Sequence, residues 1–140
     1  MVKFRVILLI LFLAPMLSWA QDYSIVGMTK EEVQKEIEKN YRKFSRDNSI
    51  VKQQFNYLKY VNGSQTITWI FYFSEKDICT STKKVCDYAE YDFILEDLDD
   101  RYEKVDEQQW SYQADDRTFT ITMEEKDWYF TIREKEKEKR

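Results

Sequence analysis

The sequence is poor in the residues that most chemistry needs. It has no histidine, two glycines, one proline and two cysteines in 140 residues. Without histidine there is no imidazole general base, no Ser–His or Cys–His nucleophile pair and no histidine metal ligand. Gly27 and Gly63 stand far apart, so no glycine-rich loop can cradle a phosphate, and no cofactor motif is legible. Acidic residues outnumber basic ones 26 to 22, a net charge of −4 that argues against nucleic-acid binding. What is abundant is aromatic: ten Tyr, nine Phe and four Trp.

The first twenty residues read as an export address. Lys3 and Arg5 precede an unbroken apolar run from Val6 to Ala14. Pro15 ends it, and Ser18-Trp19-Ala20 supplies small residues at the −3 and −1 positions. This is the signal-peptide pattern, with cleavage after Ala20. The uncharged stretch is shorter than the roughly 20 residues a membrane-spanning helix needs. The mature chain is therefore expected to begin at Gln21, carry no membrane span, and reside in the periplasm or outside the cell. Losing Lys3 and Arg5 takes its net charge to −6. Twenty aromatics remain, enough for a short chain to bury a core.

Export bears on Cys79 and Cys86, which have six residues between them. In an oxidising compartment an even count reads as a structural disulfide. Closing so short a loop would stabilise by about 2–2.5 kcal/mol in the chain-entropy picture. Free thiols are the alternative; a redox pair would favour closer spacing.

Thr29-Lys30-Glu31-Glu32 is a capping box, with Met28 and Val33 at the staple positions. Val33, Ile37, Tyr41 and Phe44 continue at helical spacing, which predicts a helix over 30–46. Two strand-like runs follow, 53–61 and 65–73, joined by Asn62-Gly63. A two-residue turn there would put Leu58 opposite Ile67 and Tyr60 opposite Gln65. Trp69, Phe71 and Phe73 would continue that face. Phe55, Tyr57, Ile70 and Tyr72 would form the other, which is the candidate binding face. An aromatic surface of this kind suits recognition of a protein or stacking on a glycan. The competing reading is that a loop, the C-terminal segment or a second copy of the chain covers it.

Residues 74–84 read as a polar connection. Tyr88, Tyr91, Leu95, Leu98 and Tyr102 then recur at steps of three and four, which predicts a second amphipathic helix over 84–104. It is strongly acidic, but Asp97-x-Asp99-Asp100 does not make a calcium loop. Position 6 is Tyr102 instead of Gly, and position 12 is Gln108 instead of Glu. Its sign opposes that of the basic first helix, which would favour placing the two side by side. Gln109–Gln113, Thr118–Met123 and a run from Trp128 alternate with period two, a three-stranded meander with Asp115-Asp116 as one turn. Residues 134–140 alternate in charge and are expected to fray.

The expected fold is α+β, in the order α-β-β-α-β-β-β, with two helices on one face of an antiparallel sheet. It would be one domain over 21–133. The Gly27-Met28-Thr29-x-x-Glu32-Val33 helix start resembles small exported bacterial α+β proteins of the outer-membrane assembly lipoprotein and β-lactamase-inhibitor-like group, as does Trp110-x-Tyr112 ahead of the late strands. The resemblance implies a small exported domain and transfers no functional residue. Paired carboxylates for hydrolysis are inevitable among 26 acids and therefore mark nothing. The expectation is a non-catalytic module that binds an envelope or extracellular protein. A glycan is the alternative ligand and carboxylate-based hydrolysis the second alternative.

Overall fold

The computed structural model describes residues 23–49 and 55–138. The proposed signal segment and the first residues of the 53–61 run lie outside them. Among the described residues the architecture is α+β, one eight-stranded antiparallel sheet with two helices. The order is α-β-β-β-β-α-β-β-β-β, which corrects the expected α-β-β-α-β-β-β by adding an edge strand to each half and an inner fourth strand to the first.

Helix α1 spans Lys30–Asn40 and starts as the local chemistry dictates. The Glu32 amide donates to Thr29 Oγ1 at 3.2 Å, and the Thr29 amide donates to Glu32 Oε2 at 3.1 Å. It stops six residues short of its expected end. Tyr41 is the C-cap, and Phe44–Arg46 leaves the helix as strand β1 on the sheet edge. The rings of Tyr41 and Phe44 pack edge-on against Trp69, with centroids 5.0 and 5.4 Å away. Contact with that ring, which helical spacing alone does not report, competes with continuing the helix.

Strands β2 (Tyr57–Asn62) and β3 (Ile67–Phe73) form the first hairpin. Its register differs from expectation: Leu58 pairs with Phe71 and Tyr60 with Trp69. Asn62 sits ahead of the turn and not within it. Its carbonyl accepts from Gln65 N, and its Oδ1 accepts from the amides of Thr66 and Ile67 at 2.9 Å. Gln65, with φ 58°, takes the left-handed position that Gly63 was expected to take. Each strand residue therefore pairs four residues further along than expected. An even shift leaves every side chain on its expected face.

Strand β4 (Cys79–Asp87) replaces most of the expected polar connection. A 3-10 turn, Tyr88–Glu90, then leads into α2, Tyr91–Arg101, which is shorter than the expected 84–104. Strands β5 (Glu103–Asp106), β6 (Gln109–Ala114), β7 (Arg117–Glu125) and β8 (Tyr129–Glu136) complete the chain. Asp115 and Asp116 form a two-residue turn with both φ positive, flanked by the Ala114–Arg117 pair. The expected frayed tail is partly strand. Glu134, Lys135 and Glu136 pair with Ile121, Thr120 and Phe119, so the charge alternation sends acids to one face and the lysine to the other.

The sheet order is β1-β2-β3-β4-β8-β7-β6-β5. The chain therefore runs as two units of one helix and four strands, joined through the β4–β8 pair. Glu-Lys-Asp occurs at the same turn in each unit, as residues 75–77 just after the third strand and as 125–127 beginning on its last residue. Direct cross-strand partners share a sheet face. Trp69, Phe71 and Phe73 on β3 are buried with Leu58 and Tyr60, and α1 adds Val33 and Ile37. Phe119, Ile121 and Met123 on β7 are buried with Trp110 and Tyr112, and α2 adds Leu98. Each helix thus packs on its own cluster.

Cys79 and Cys86 are free thiols, which corrects the expected disulfide. Both lie on β4, one in each cluster. Seven residues along an extended strand separate them by roughly 20 Å, whereas a disulfide needs Cα atoms within about 7 Å. Burial pushes both thiols up to about 12.

Candidate functional site

The sheet face away from the buried clusters carries the side chains that can meet a partner. Register assigns its rows. Tyr57, Tyr72, Ser81, Lys135, Thr120 and Ser111 lie side by side across five steps of pairing. The next row is Lys59, Ile70, Lys83, Arg133, Thr122 and Gln109. A third is Val61, Thr68, Val85, Thr131 and Glu124.

Three of the four candidate binding residues come together here. Tyr57 and Tyr72 are direct cross-strand partners, Ile70 is on the adjoining row, and all three are half-buried. Phe55 is separate. It precedes β2 outside any strand and is exposed. No described segment lies over this face as an element of structure; the helices pack on the other.

Sequence reasoning missed the basic residues. Lys83, Arg133 and Lys135 project from this face at the β4–β8 junction, and Lys59 projects from it two strands away on β2, in a chain whose overall charge is negative. Lys59 is held by Asp47 at 2.9 Å. The amide and hydroxyl of Ser49, with Lys59, hold the Asp47 carboxyl at about 2. Lys83, Arg133 and Lys135 make no ion pair within 4.0 Å among the described residues. Three acids share these rows: Glu103 and Asp106 continue the first two onto β5, and Glu124 lies on the third, nearest the cations. Lys126, hydrogen-bonded to it, lowers it first, and the fields of Arg133 and Lys83 lower it further. The missed signal was alternation in Ser81-Thr82-Lys83-Lys84-Val85-Cys86. There the inward positions are Thr, Lys and Cys, so no apolar period stands out.

The two units differ on this face. At equivalent positions, β3 presents Thr68, Ile70 and Tyr72, while β7 presents Thr118, Thr120 and Thr122. The result is an aromatic and aliphatic half, a polar hydroxyl half, and a cationic strip between. Chemically this surface can bury moderate apolar area and pair with anions.

Among the described residues no cluster of His, Cys, Asp or Glu is placed to hold a metal, and no helix is long and apolar enough to cross a membrane. No family model matches the chain, and neither a curated protein nor a solved structure matches it.

Proposed function

We propose that the protein is an exported, non-catalytic binding module that docks an acidic protein surface of the envelope or the extracellular space on the open face of its sheet. The observation that carries this reading is the cationic strip of Lys83, Arg133 and Lys135 beside Tyr57, Ile70 and Tyr72, on an otherwise acidic chain. The aromatic half supplies the apolar area for affinity, and the cations supply orientation and on-rate toward an anionic partner. An open antiparallel sheet tolerates such a face because its backbone groups are already paired within the sheet.

The test places a photo-crosslinking side chain at Ile70 in cells. The expected adduct is an acidic envelope or secreted protein. Purified, that protein should bind the wild-type chain at least tenfold more tightly than the Lys83→Glu/Arg133→Glu variant, with affinity falling as salt rises. An adduct only with a second copy of this chain would overturn the reading in favour of a dimer interface. A glycan adduct, or a partner bound equally by the charge-reversed variant, would also overturn it.

A further inference from the structure

A second site lies on the opposite side of the sheet. Between the exit of α1 and the length of α2 is a cleft of about 390 Å³. That is the low end of the range of about 300–1,000 Å³ typical of small-molecule pockets. Its floor is one cross-strand row, Trp69–Lys84–Ile132, with Glu134 and Ile67 beside it. Its walls are Phe44 on one side and Ile94 and Leu98 on the other.

Lys84 is the anomaly. It occupies a core-facing position of the central strand, where register alone would put an apolar residue. Its Nζ lies 4.3 Å from the centre of the Trp69 ring. No carboxylate pairs with it within 4.0 Å among the described residues. The acids of the cleft are engaged elsewhere. Asp97 pairs with Arg101 at 3.3 Å, Glu90 accepts from Thr66 Oγ1 at 2.9 Å, and Glu134 accepts from Ser24 and Tyr112. The Trp69 indole Nε1–H is fully buried and has no hydrogen-bond acceptor among the described residues, so it is closed to a ligand in the cleft. A cation resting on a ring, with no carboxylate in contact, on the floor of a largely apolar cleft is a donor lacking its anion.

We propose that this cleft binds a small amphiphilic monocarboxylate, whose carboxylate pairs with Lys84 and whose apolar part lies against Ile94, Leu98 and Ile132. Desolvation already pushes Lys84 below the ordinary lysine value, with Arg101 acting in the same direction and Glu134, Asp97 and Cys86 opposing. A bound carboxylate would restore the favourable surroundings of the charged form. The site is independent of the open sheet face.

The test is calorimetric titration of the protein with octanoate, octanol and octylamine, three probes of equal chain length and different head group. Octanoate is expected to bind one per chain with Kd below about 1 mM, at least tenfold tighter than either other probe. Lys84→Met keeps the length and removes the charge. Because it replaces a desolvated ammonium by an apolar side chain, it should melt at or above the wild-type temperature. It should lose octanoate binding tenfold or more without weakening octanol. The Lys83→Glu/Arg133→Glu variant should bind octanoate as wild type does, which separates this site from the sheet face. No octanoate binding, equal affinity for octanoate and octanol, or octanoate affinity unchanged in Lys84→Met would overturn the proposal. The three-probe comparison on wild type decides it even if the variants fail to fold.

Discussion

If the two units form one cooperative domain, damage in one should be felt in the other. Leu58 in the first cluster is fully buried, and Ile121 in the second is 2% exposed. Leu58→Ala removes three carbons, a transfer loss of about 2.4 kcal/mol at ~0.8 kcal/mol per methylene. The unfilled cavity raises the expected cost to about 2.5–4 kcal/mol. Ile121→Val removes one carbon and should cost about 1 kcal/mol. Both lie on one row, Leu58–Phe71–Thr82–Glu134–Ile121. Four inter-strand steps separate them by about 19 Å, so urea unfolding of the double variant should give the sum within about 0.5 kcal/mol. Native-state hydrogen exchange then checks cooperativity. In Leu58→Ala, the amides of Phe119–Met123 in β7 should lose as much protection as those of Trp69–Phe73 in β3. The seven residue pairs of β4 with β8, and Ile67 of β3 packing on the second cluster, are the couplings that require it. Protection lost in β3 alone, or two separate urea transitions, would refute the single-domain argument.

Four further outcomes follow from the same geometry. Cys79 and Cys86 should both be unreactive toward a thiol reagent in the folded protein at pH 8 and both react after unfolding, and reduction should leave the mass unchanged; a gain of two hydrogens would contradict the strand geometry. Thr29→Ala should cost about 1 kcal/mol in urea unfolding by breaking the capping box of α1. Asp47 has a folded-state value of about 2, below its ordinary 3.8. Its contribution should therefore be complete above the ordinary value and fade as pH falls through the folded one, so its carboxyl resonance should titrate near 2, and a midpoint near 4 would remove the Ser49 and Lys59 contacts from solution. Phe93→Ala, at a position 71% exposed, should change stability by less than about 0.5 kcal/mol while Leu98→Ala on the same helix costs about 2–4 kcal/mol.

Features set by neighbouring residues were legible in the sequence. The Thr29–Glu32 capping box needs four residues to state itself, and Asp115-Asp116 needs two. The alternation of Trp69, Phe71 and Phe73 against Ile70 and Tyr72 survived a wrong register because the error was even. Features set by partners distant in sequence were not legible. Phe44 is helical by spacing, yet it forms an edge strand with β2 and rests on Trp69. Strand β4 was hidden because its inward side chains are Cys79, Thr82, Lys84 and Cys86, and only flanking by β3 and β8 makes such residues core. The disulfide inference failed for the same reason. Six intervening residues close a loop only if the chain turns, and here it runs straight.

The paired units also separate what packing requires from what it leaves free. Equivalent inward positions of β3 and β7 are all large and apolar: Trp69 with Phe119, Phe71 with Ile121, Phe73 with Met123. Packing against a helix imposes the same requirement on each, so these pairs say nothing about function. The outward positions face no such requirement, and two of the three diverge: Ile70 against Thr120 and Tyr72 against Thr122. A purely structural open face would be free to be polar throughout, as β7 is, because solvated threonines suit an antiparallel sheet without inviting association. Keeping half-buried Tyr57, Ile70 and Tyr72 on one half brings an aggregation risk that the threonine half avoids. Lys83 and Arg133, directly paired at the β4–β8 junction, offset that risk by placing two like charges side by side, an arrangement that itself destabilises the strand pair. An apolar patch and a repulsive cation pair, each unfavourable alone, become favourable together when an anionic surface covers both. That coincidence on one face, and its absence from the threonine half, is the physical argument for reading the open sheet as a docking surface.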